Sequence, residues 1–516
     1  MTRSLPLLTV LAFAFSLALA PAAQAGWFRA DPIDGPAEIE SLGDVDVARD
    51  GGGGVVYVKR DAGVPQAFVS RLVEGAWTPP QRLSAGAPVS EAAITATEGG
   101  RLAVAWVAGG EVVATVIRGR GAPAPPVVLG GGGATGLHLD MGINEAAYAV
   151  WSAGEDVRAA RLEGITWTPL AGALDLDPAR SAGTGPSRPR VAVSAEGNAV
   201  ATWGERGADG IDHVIARRLT GLTPSSFPQD LNLSAFEGQP GGAADSPDID
   251  IEDDGSFAWV AFRQDAGGRS RSFARRLRGS LFEDPYAIDA GLTSGEPRID
   301  FTGKGLGGTV AAAADNAIFS AYLDKFDAFQ PAVRIDQTPG TVAPSPVVAT
   351  SERADVYAAW RTGAGDVRAR RKDGEKGFEP EVLASSPALG VVAPRQLAIG
   401  ADRSGNVVVA MIQGAPGAQR LTAAVYDRLP GKPVVLSSAR PRNPKPLLKW
   451  GAGSEYWGAQ RYVVLVDGKR IGATTERTRL RSKRRLRPGT HRYQVRSTDR
   501  RGQVSASRVR TFVVRR

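Results

Sequence analysis

Apolar residues in this chain fall into short runs separated by Gly, Asp and Pro, and the runs recur. One of them repeatedly ends in Trp: Leu102-Ala-Val-Ala-Trp106, Ala147-Tyr-Ala-Val-Trp151, Ala199-Val-Ala-Thr-Trp203, Val356-Tyr-Ala-Ala-Trp360 and, more weakly, Val407-Val-Val-Ala-Met411. Gly100, Gly197 and Gly405 stand six residues before the closing position, as a turn would. Uniformly apolar runs this short, bounded by turn residues, predict strands buried on both faces. A more polar run follows: Ala67-Phe-Val-Ser-Arg-Leu72, Val157-Arg-Ala-Ala-Arg-Leu162, Val214-Ile-Ala-Arg-Arg-Leu219, Ser272-Phe-Ala-Arg-Arg-Leu277 and Val367-Arg-Ala-Arg-Arg371. The last element opens with an aromatic residue and Pro: Trp77-Thr-Pro79, Trp167-Thr-Pro169, Phe227-Pro228, Phe282-Glu-Asp-Pro285, Phe329-Gln-Pro331 and Phe378-Glu-Pro380.

Together with the short strand before each turn, these runs make a unit of about 50 residues. Eight units start near residues 42, 86, 132, 184, 242, 292, 340 and 390. Units two and eight lack the aromatic-Pro element and unit six lacks the Trp. Proline has no N–H for a central ladder, so the last element is an outer edge strand. Four strands ordered from centre to edge describe a blade of a β-propeller, predicted here with eight blades and seven as the alternative. The rungs of a β-solenoid are shorter than these units, and nothing past the N-terminus shows helical spacing, so the fold class is all-β. Trp27 to Glu40 is available to close the ring as an exchanged strand. On these residues the chain, over about 42–440, resembles secreted bacterial propellers with sialidase-like or tachylectin-like repeats. Such propellers include hydrolases, lyases, lectins and protein-binding scaffolds, so the resemblance implies an architecture and not an activity.

The pattern changes after Pro441-Arg-Asn-Pro-Lys-Pro446, which reads as a linker. Leu448 and Trp450, Tyr462-Val-Val-Leu-Val466, the Asp467-Gly468 hairpin, Tyr493 with Val495, and Phe512-Val-Val514 alternate as a small β-sandwich does. The early Trp, Tyr462 on the next long strand, Leu486 before Pro488-Gly489 and the following Tyr493 make this segment similar to a fibronectin type III or immunoglobulin-like domain, though it is short for one. The predicted organisation is a signal peptide over 1–25, a propeller over 26–441 and a basic sandwich over 442–516.

The signal reading rests on Arg3, the apolar stretch Leu5 to Ala20 and the small residues of Ala23-Gln24-Ala25. Export is the expectation, with a transmembrane anchor disfavoured by the shortness of the run. The absence of Cys excludes disulfides, thiolate metal sites and a Cys nucleophile, and three His leave little for a multi-histidine zinc centre. Charge alters the picture most. Residues 443–516 carry 20 Lys and Arg against 4 Asp and Glu, a net +16, while residues 26–442 carry a net −9. The predicted polyanion-binding residues are Arg477, Arg479, Arg481, Lys483, Arg484, Arg485 and Arg487 as one stripe, with Arg492 and Arg496 beside it, alternating with the core residues Tyr493 and Val495. A solvated, merely solubilising face is the alternative. With no groove-reading helix or recognised motif, sequence-specific nucleic-acid binding is not expected.

Within the propeller, Asp46, Asp250 and Asp300 recur on first strands, each four residues before the turn residues Asp50, Asp254 and Lys304. First strands line the central channel, so these are candidate channel carboxylates, with hydrogen-bonded strand-end Asp as the plainer reading. Asp248-x-Asp250-x-Glu252-x-Asp254-Gly255 has the look of a Ca2+ loop, but Ile249 and Ile251 impose strand alternation, so no cofactor is expected, with Ca2+ as the alternative. Gly303-x-Gly305-x-x-Gly308 leads into Thr309-Val-Ala, a strand, and is a glycine hairpin rather than a dinucleotide fingerprint. Sialidase-type chemistry needs an Arg cluster, a Tyr nucleophile and an acid; the nearest approach to the characteristic start, Glu296-Pro-Arg-Ile-Asp300, is not a match. The function expected is therefore an exported, non-catalytic binding or scaffold protein, its propeller a platform for a glycan or protein partner and its sandwich an anchor to a cell-wall polyanion. The alternative is an extracellular carbohydrate-active enzyme, which requires acidic residues converging with Arg or Tyr on one face of the propeller.

Overall fold

The structure is a computed structural model that describes residues 25–516, except 227, 290, 292, 326, 327, 339, 344, 375, 437–442, 459 and 516. The predicted signal peptide, Phe227 and the start of the predicted linker therefore lie outside the described residues. The chain forms two compact units, one comprising 26–428 with 454–460, the other containing 429–453 and 461–516. The boundary thus falls at Arg428, not Pro441, because Val434–Val435 pairs with Leu447–Gly451 and belongs to the second unit.

The larger unit is a β-propeller. Among the described residues it has eight antiparallel sheets, each ordered from an inner strand to an edge. The inner strands are Ile39–Val47, Val89–Thr97, Ala134–Met141, Arg190–Val193, Gln239–Ile251, Arg298–Phe301, Val347–Thr350 and Val392–Ala401, here assigned to blades 1 to 8. Each packs beside the next, and Val392–Ala401 packs beside Ile39–Val47, so the cycle closes. The outer strand of blade 8 is Gly26–Ala37, paired antiparallel with Gln419–Asp427. That exchange explains why the eighth repeat has no aromatic-Pro element of its own: the N-terminus supplies its edge.

Burial accounts for the repeated motifs. Second strands such as Arg101–Ala108 are covered on both faces by neighbouring blades. Their closing Trp fills the gap to the preceding blade: Trp106 packs with Val56, Val58 and Val69, Trp203 with Val150, Val157 and Ala159, and Trp360 with Ala313, Ile318 and Ile335. Successive strand residues face opposite ways, and the Arg-Arg pairs of the third strands use this to grip both neighbours. Arg217 donates to Leu174 O of blade 3 at 2.7 Å, while Arg218 donates to Gly255 O and Gly279 O of blade 5 at 2.8 and 2.6 Å. Arg275 and Arg370 repeat the backward bond, to Leu231 O at 2.9 Å and Ile335 O at 2.7 Å. The prolines split the edge strands: Ala76–Trp77 and Gln81–Arg82 both pair with Val64–Val73, on either side of Pro79 and Pro80.

In the smaller unit a three-stranded sheet (Val434–Val435, Leu447–Gly451, Arg479–Arg481) and a five-stranded sheet (Arg461–Val466, Lys469–Thr475, Gly489–Thr498, Val504–Ala506, Arg510–Val514) share one core. That core contains Leu448, Trp450, Tyr462, Val464, Tyr493, Val495 and Phe512. The buried Tyr493 hydroxyl donates to Lys449 O at 2.6 Å, joining the sheets. Among the described residues no helix is long and apolar enough to cross a membrane.

Candidate functional site

The inner strands run from one mouth of the propeller channel to turns at its other end, so residue position along the strand sets depth, at about 3.3 Å per residue. Charge changes sign with depth. At the mouth, a cavity of about 550 Å3 is lined by Arg188, Arg190, Arg298, Arg361 and Arg395, with Asp44, Glu91, His138, Asp248, Glu296 and Gln396. Deeper, a narrower cavity of about 290 Å3 is walled by Asp44, Asp46, Asp140, Asp248, Asp250 and Asp300. At the far end Arg49, in the turn of blade 1, pairs with Asp253 of blade 5 at 2.5 Å and with Glu352 of blade 7 at 3.0 Å. Blades 1 and 5 are half a ring apart, so this bolt spans the channel floor.

The predicted carboxylates Asp46, Asp250 and Asp300 do line the channel, and each is occupied. Asp46 accepts Ala96 N–H at 2.7 Å and the Thr95 hydroxyl at 3.1 Å, Asp250 accepts Phe301 N–H at 2.8 Å, and Asp300 accepts Thr350 N–H. Asp140 does the same for Val193 at 2.6 Å and Asp248 for Ile299 at 3.0 Å. Glu91, His138 and Gln396 make the equivalent bonds to Leu137, Val191 and Leu42 at 3.0, 3.3 and 2.5 Å. A side chain of one inner strand thereby takes the N–H that the next inner strand, which it does not pair with in a ladder, leaves unsatisfied. These residues are clamps between blades. Asp140 lies four residues before Asn144, the same spacing that singled out the other three, and was open to the same reading; Asp44 and Asp248 carried no such mark. Asp248 and Asp250 lie on a strand and Asp254 caps its turn through Ser256 N–H. Among the described residues no group of three or more acidic or His side chains is arranged to hold a metal ion.

Burial dominates the ionisation of this ring. It raises Asp44 and Asp140 to about 7 against the pull of the backbone bonds, with neighbouring Asp46 adding repulsion to both. Asp250 rises to about 6 and Asp300 well above the ordinary range, first by burial and, for Asp300, then by the Asp250 charge and a hydrogen bond between the two carboxyls. At the mouth the signs reverse. Burial also pushes Glu296 up, but Arg298, Arg395 and Arg188 with Ser345 outweigh it and hold the carboxylate below its ordinary value. Burial, then repulsion from Arg298, lowers Arg190 to about 10. Burial followed by Arg190, Arg298 and Arg188 keeps His138 neutral, far below its ordinary value.

Arginine and acid thus converge on one mouth, the arrangement the sequence required of a carbohydrate-active site and did not locate. Glu296 binds Arg298 at 3.3 Å and Arg395 at 3.5 Å, and Arg190 lies 3.9 Å from Asp248. The arginines were marked after all: Pro189-Arg190, Pro297-Arg298 and Pro394-Arg395 stand at the start of three inner strands. The described lining contains no Tyr.

In the smaller unit all nine predicted polyanion-binding residues are exposed. Their arrangement corrects the single stripe. Leu480 points into the shared core, so Arg479 and Arg481 face outward from the three-stranded sheet, with Lys449 opposite Arg479. Tyr493 and Val495 point into the same core from the other side, so Arg492 and Arg496 face outward from the five-stranded sheet. The two sets occupy opposite faces.

No protein-family model matches the chain, and no curated protein matches it. Its structure is similar to that of the BP39L lectin from Burkholderia pseudomallei (TM-score 0.43, 14% identity, covering 68% of this chain and 99% of that one). It is also similar to the Dos1 propeller (TM-score 0.47, 9% identity, 76% and 95% covered) and to the polysaccharide lyase Uly1 (TM-score 0.41, 11% identity, 65% and 89% covered).

Proposed function

We propose that this is an exported, non-catalytic binding protein whose propeller takes a carboxylate-bearing saccharide at the channel mouth and whose basic unit attaches to an envelope polyanion. The observation that carries it is the convergence of five guanidinium groups on one polar cavity. They face Glu91, Asp248 and Glu296, with Asp44 part-protonated at neutral pH, so the mouth keeps a positive excess. Planar guanidinium groups match carboxylates in two-point geometry, and a polar cavity of this size suits a sugar. The clamp bonds of Asp46, Asp140, Asp248, Asp250 and Asp300 support a binding role, since these carboxylates already hold neighbouring strands. Asp250 and Asp300 share a hydrogen bond, closer than the roughly 5–10 Å at which two carboxylates flank a glycosidic bond. Asp44, raised to about 7 and lining the mouth, and the convergence of arginine with acid there are the observations favouring a hydrolase or lyase. Export rests on the N-terminal leader.

The test is calorimetric titration with oligogalacturonate and with its neutral methyl ester. Tight binding of the acid alone, weakened about 10-fold or more by Arg298→Ala, is expected, since one charge-assisted bond contributes about 1.5–3 kcal/mol. Equal binding of acid and ester, or turnover of either that Asp44→Asn abolishes, would overturn the reading.

A further inference from the structure

The placement of charge on the smaller unit goes further than an anchor. Its three-stranded sheet presents Lys449, Arg479 and Arg481 outward, and Arg477, Arg479 and Arg481 line an open groove there with Leu447 and Glu476. Its five-stranded sheet presents Arg461, Arg492 and Arg496 outward; Arg496 stands opposite Val463, the outward neighbour of Arg461 on its strand. All these cations are exposed. The faces are separated by a core of large apolar side chains, at the roughly 10 Å that divides packed sheets. One extended polymer lying along one sheet cannot also engage the other without folding back around an edge.

We infer that the basic unit is bivalent: it holds two separate polyanion chains, one on each sheet, and so cross-links phosphate- or carboxylate-bearing polymer rather than only tethering the protein to it. This rests on the polyanion reading above. Outward residues of one strand repeat about every 6.6 Å, with a cross-strand neighbour about 5 Å away. Each face is thus a short two-rail track that follows a linear chain, and it needs no base edges or bends in its ligand.

The experiment uses the full chain with two probes, a short inorganic polyphosphate and a short polyglutamate, whose carboxylates are not borne on a saccharide of the kind proposed for the propeller mouth, and then long chains of each. Two short chains per protein are expected. With long chains, light scattering should rise to a maximum at intermediate ratio and fall in polymer excess, as two-site bridging requires. Arg479→Glu with Arg481→Glu, and separately Arg492→Glu with Arg496→Glu, should each leave one short chain bound, at an affinity within about threefold, and abolish the scattering maximum. If a charge reversal perturbs folding by circular dichroism, the corresponding Gln pair replaces it. One chain bound by the unaltered protein, or one pair abolishing all binding while the other changes nothing, overturns bivalency and leaves an anchor. Binding of neither probe at low salt overturns the polyanion reading itself. Response to one probe alone identifies phosphate or carboxylate as the chemistry recognised.

Discussion

Asp140 offers a sharp test of the clamp. Its carboxylate accepts Val193 N–H at 2.6 Å across the junction of blades 3 and 4, yet burial has raised its pKa from 3.8 to about 7. A carboxyl whose folded pKa is raised binds its proton more tightly in the folded state. Its contribution to stability is complete below about 3.8 and is lost as pH climbs through about 7. Fully realised, a rise of this size corresponds to about 4 kcal/mol, and contact with solvent in the channel reduces that to about 1–2 kcal/mol. Asp140→Asn removes the titration but keeps an oxygen for Val193. The variant should therefore match or fall slightly below the unaltered protein at pH 5 and exceed it at pH 8. For a unit of this size the relative shift in melting temperature is about 1–4 °C. Paired thermal melts at the two pH values measure it. A melting difference that is independent of pH, or that favours the unaltered protein more at pH 8 than at pH 5, would refute the assignment of Asp140 as a carboxyl destabilised by burial.

Two further predictions concern how the ring is held. Arg370→Met should cost about 2–3 kcal/mol in denaturant unfolding, because it strands Ile335 O of blade 6 and Glu379 O at the edge of blade 7, while Arg353→Met, at an exposed position, should change stability by less than about 0.5 kcal/mol. Asp34, on the exchanged strand, accepts the Tyr57 hydroxyl and Lys59 Nζ of blade 1, both at 2.6 Å. Asp34→Ala should lower stability by about 2–4 kcal/mol and expose the N-terminal strand to limited proteolysis first, which mass spectrometry of the fragments would show.

Much of the fold was legible because the repeat imposes the same burial problem eight times. The Trp that closes second strands and the Pro that splits edge strands solve that problem in the same way in most blades that carry them, so their spacing survives in sequence. A second repeat went unread for the opposite reason. Asp175, Asn232, Asp289, Asp336 and Ser385 each accept the N–H that opens a third strand, but in Asp, Asn and Ser, and with an apolar neighbour that varies. The channel clamps were half legible. Asp, Glu, His and Gln all accept an N–H, so chemically equivalent residues differ in letter from blade to blade. The mouth was least legible. Its arginines come from blades 4, 6, 7 and 8, and only closure of the ring makes Arg190, Arg298, Arg361 and Arg395 neighbours. The basic unit differs in one respect: nearness in sequence suggested that Arg492 and Arg496 lie beside the stripe, whereas a shared core places them and the pair Arg479 and Arg481 on opposite faces.

The charge layers of the channel bear on the binding function proposed above. A catalyst in a propeller would need carboxylates free to change protonation and position as a bond breaks. Here the deep carboxylates other than Asp44 each accept a neighbouring backbone N–H, and the Arg49 bolt to Asp253 and Glu352 bridges the floor. The arginines above them are differently placed. Arg188 is exposed, Arg395 reaches Glu296 at 3.5 Å and Arg190 approaches Asp248 no closer than 3.9 Å, so exchanging these long contacts for a ligand carboxylate costs little. Attraction to Glu296 and Asp248 within the mouth offsets part of the repulsion among five cations in a confined space. The deep ring thus locks the blades, while the acids among the arginines let the mouth hold them densely, as the proposed selection of an anion requires.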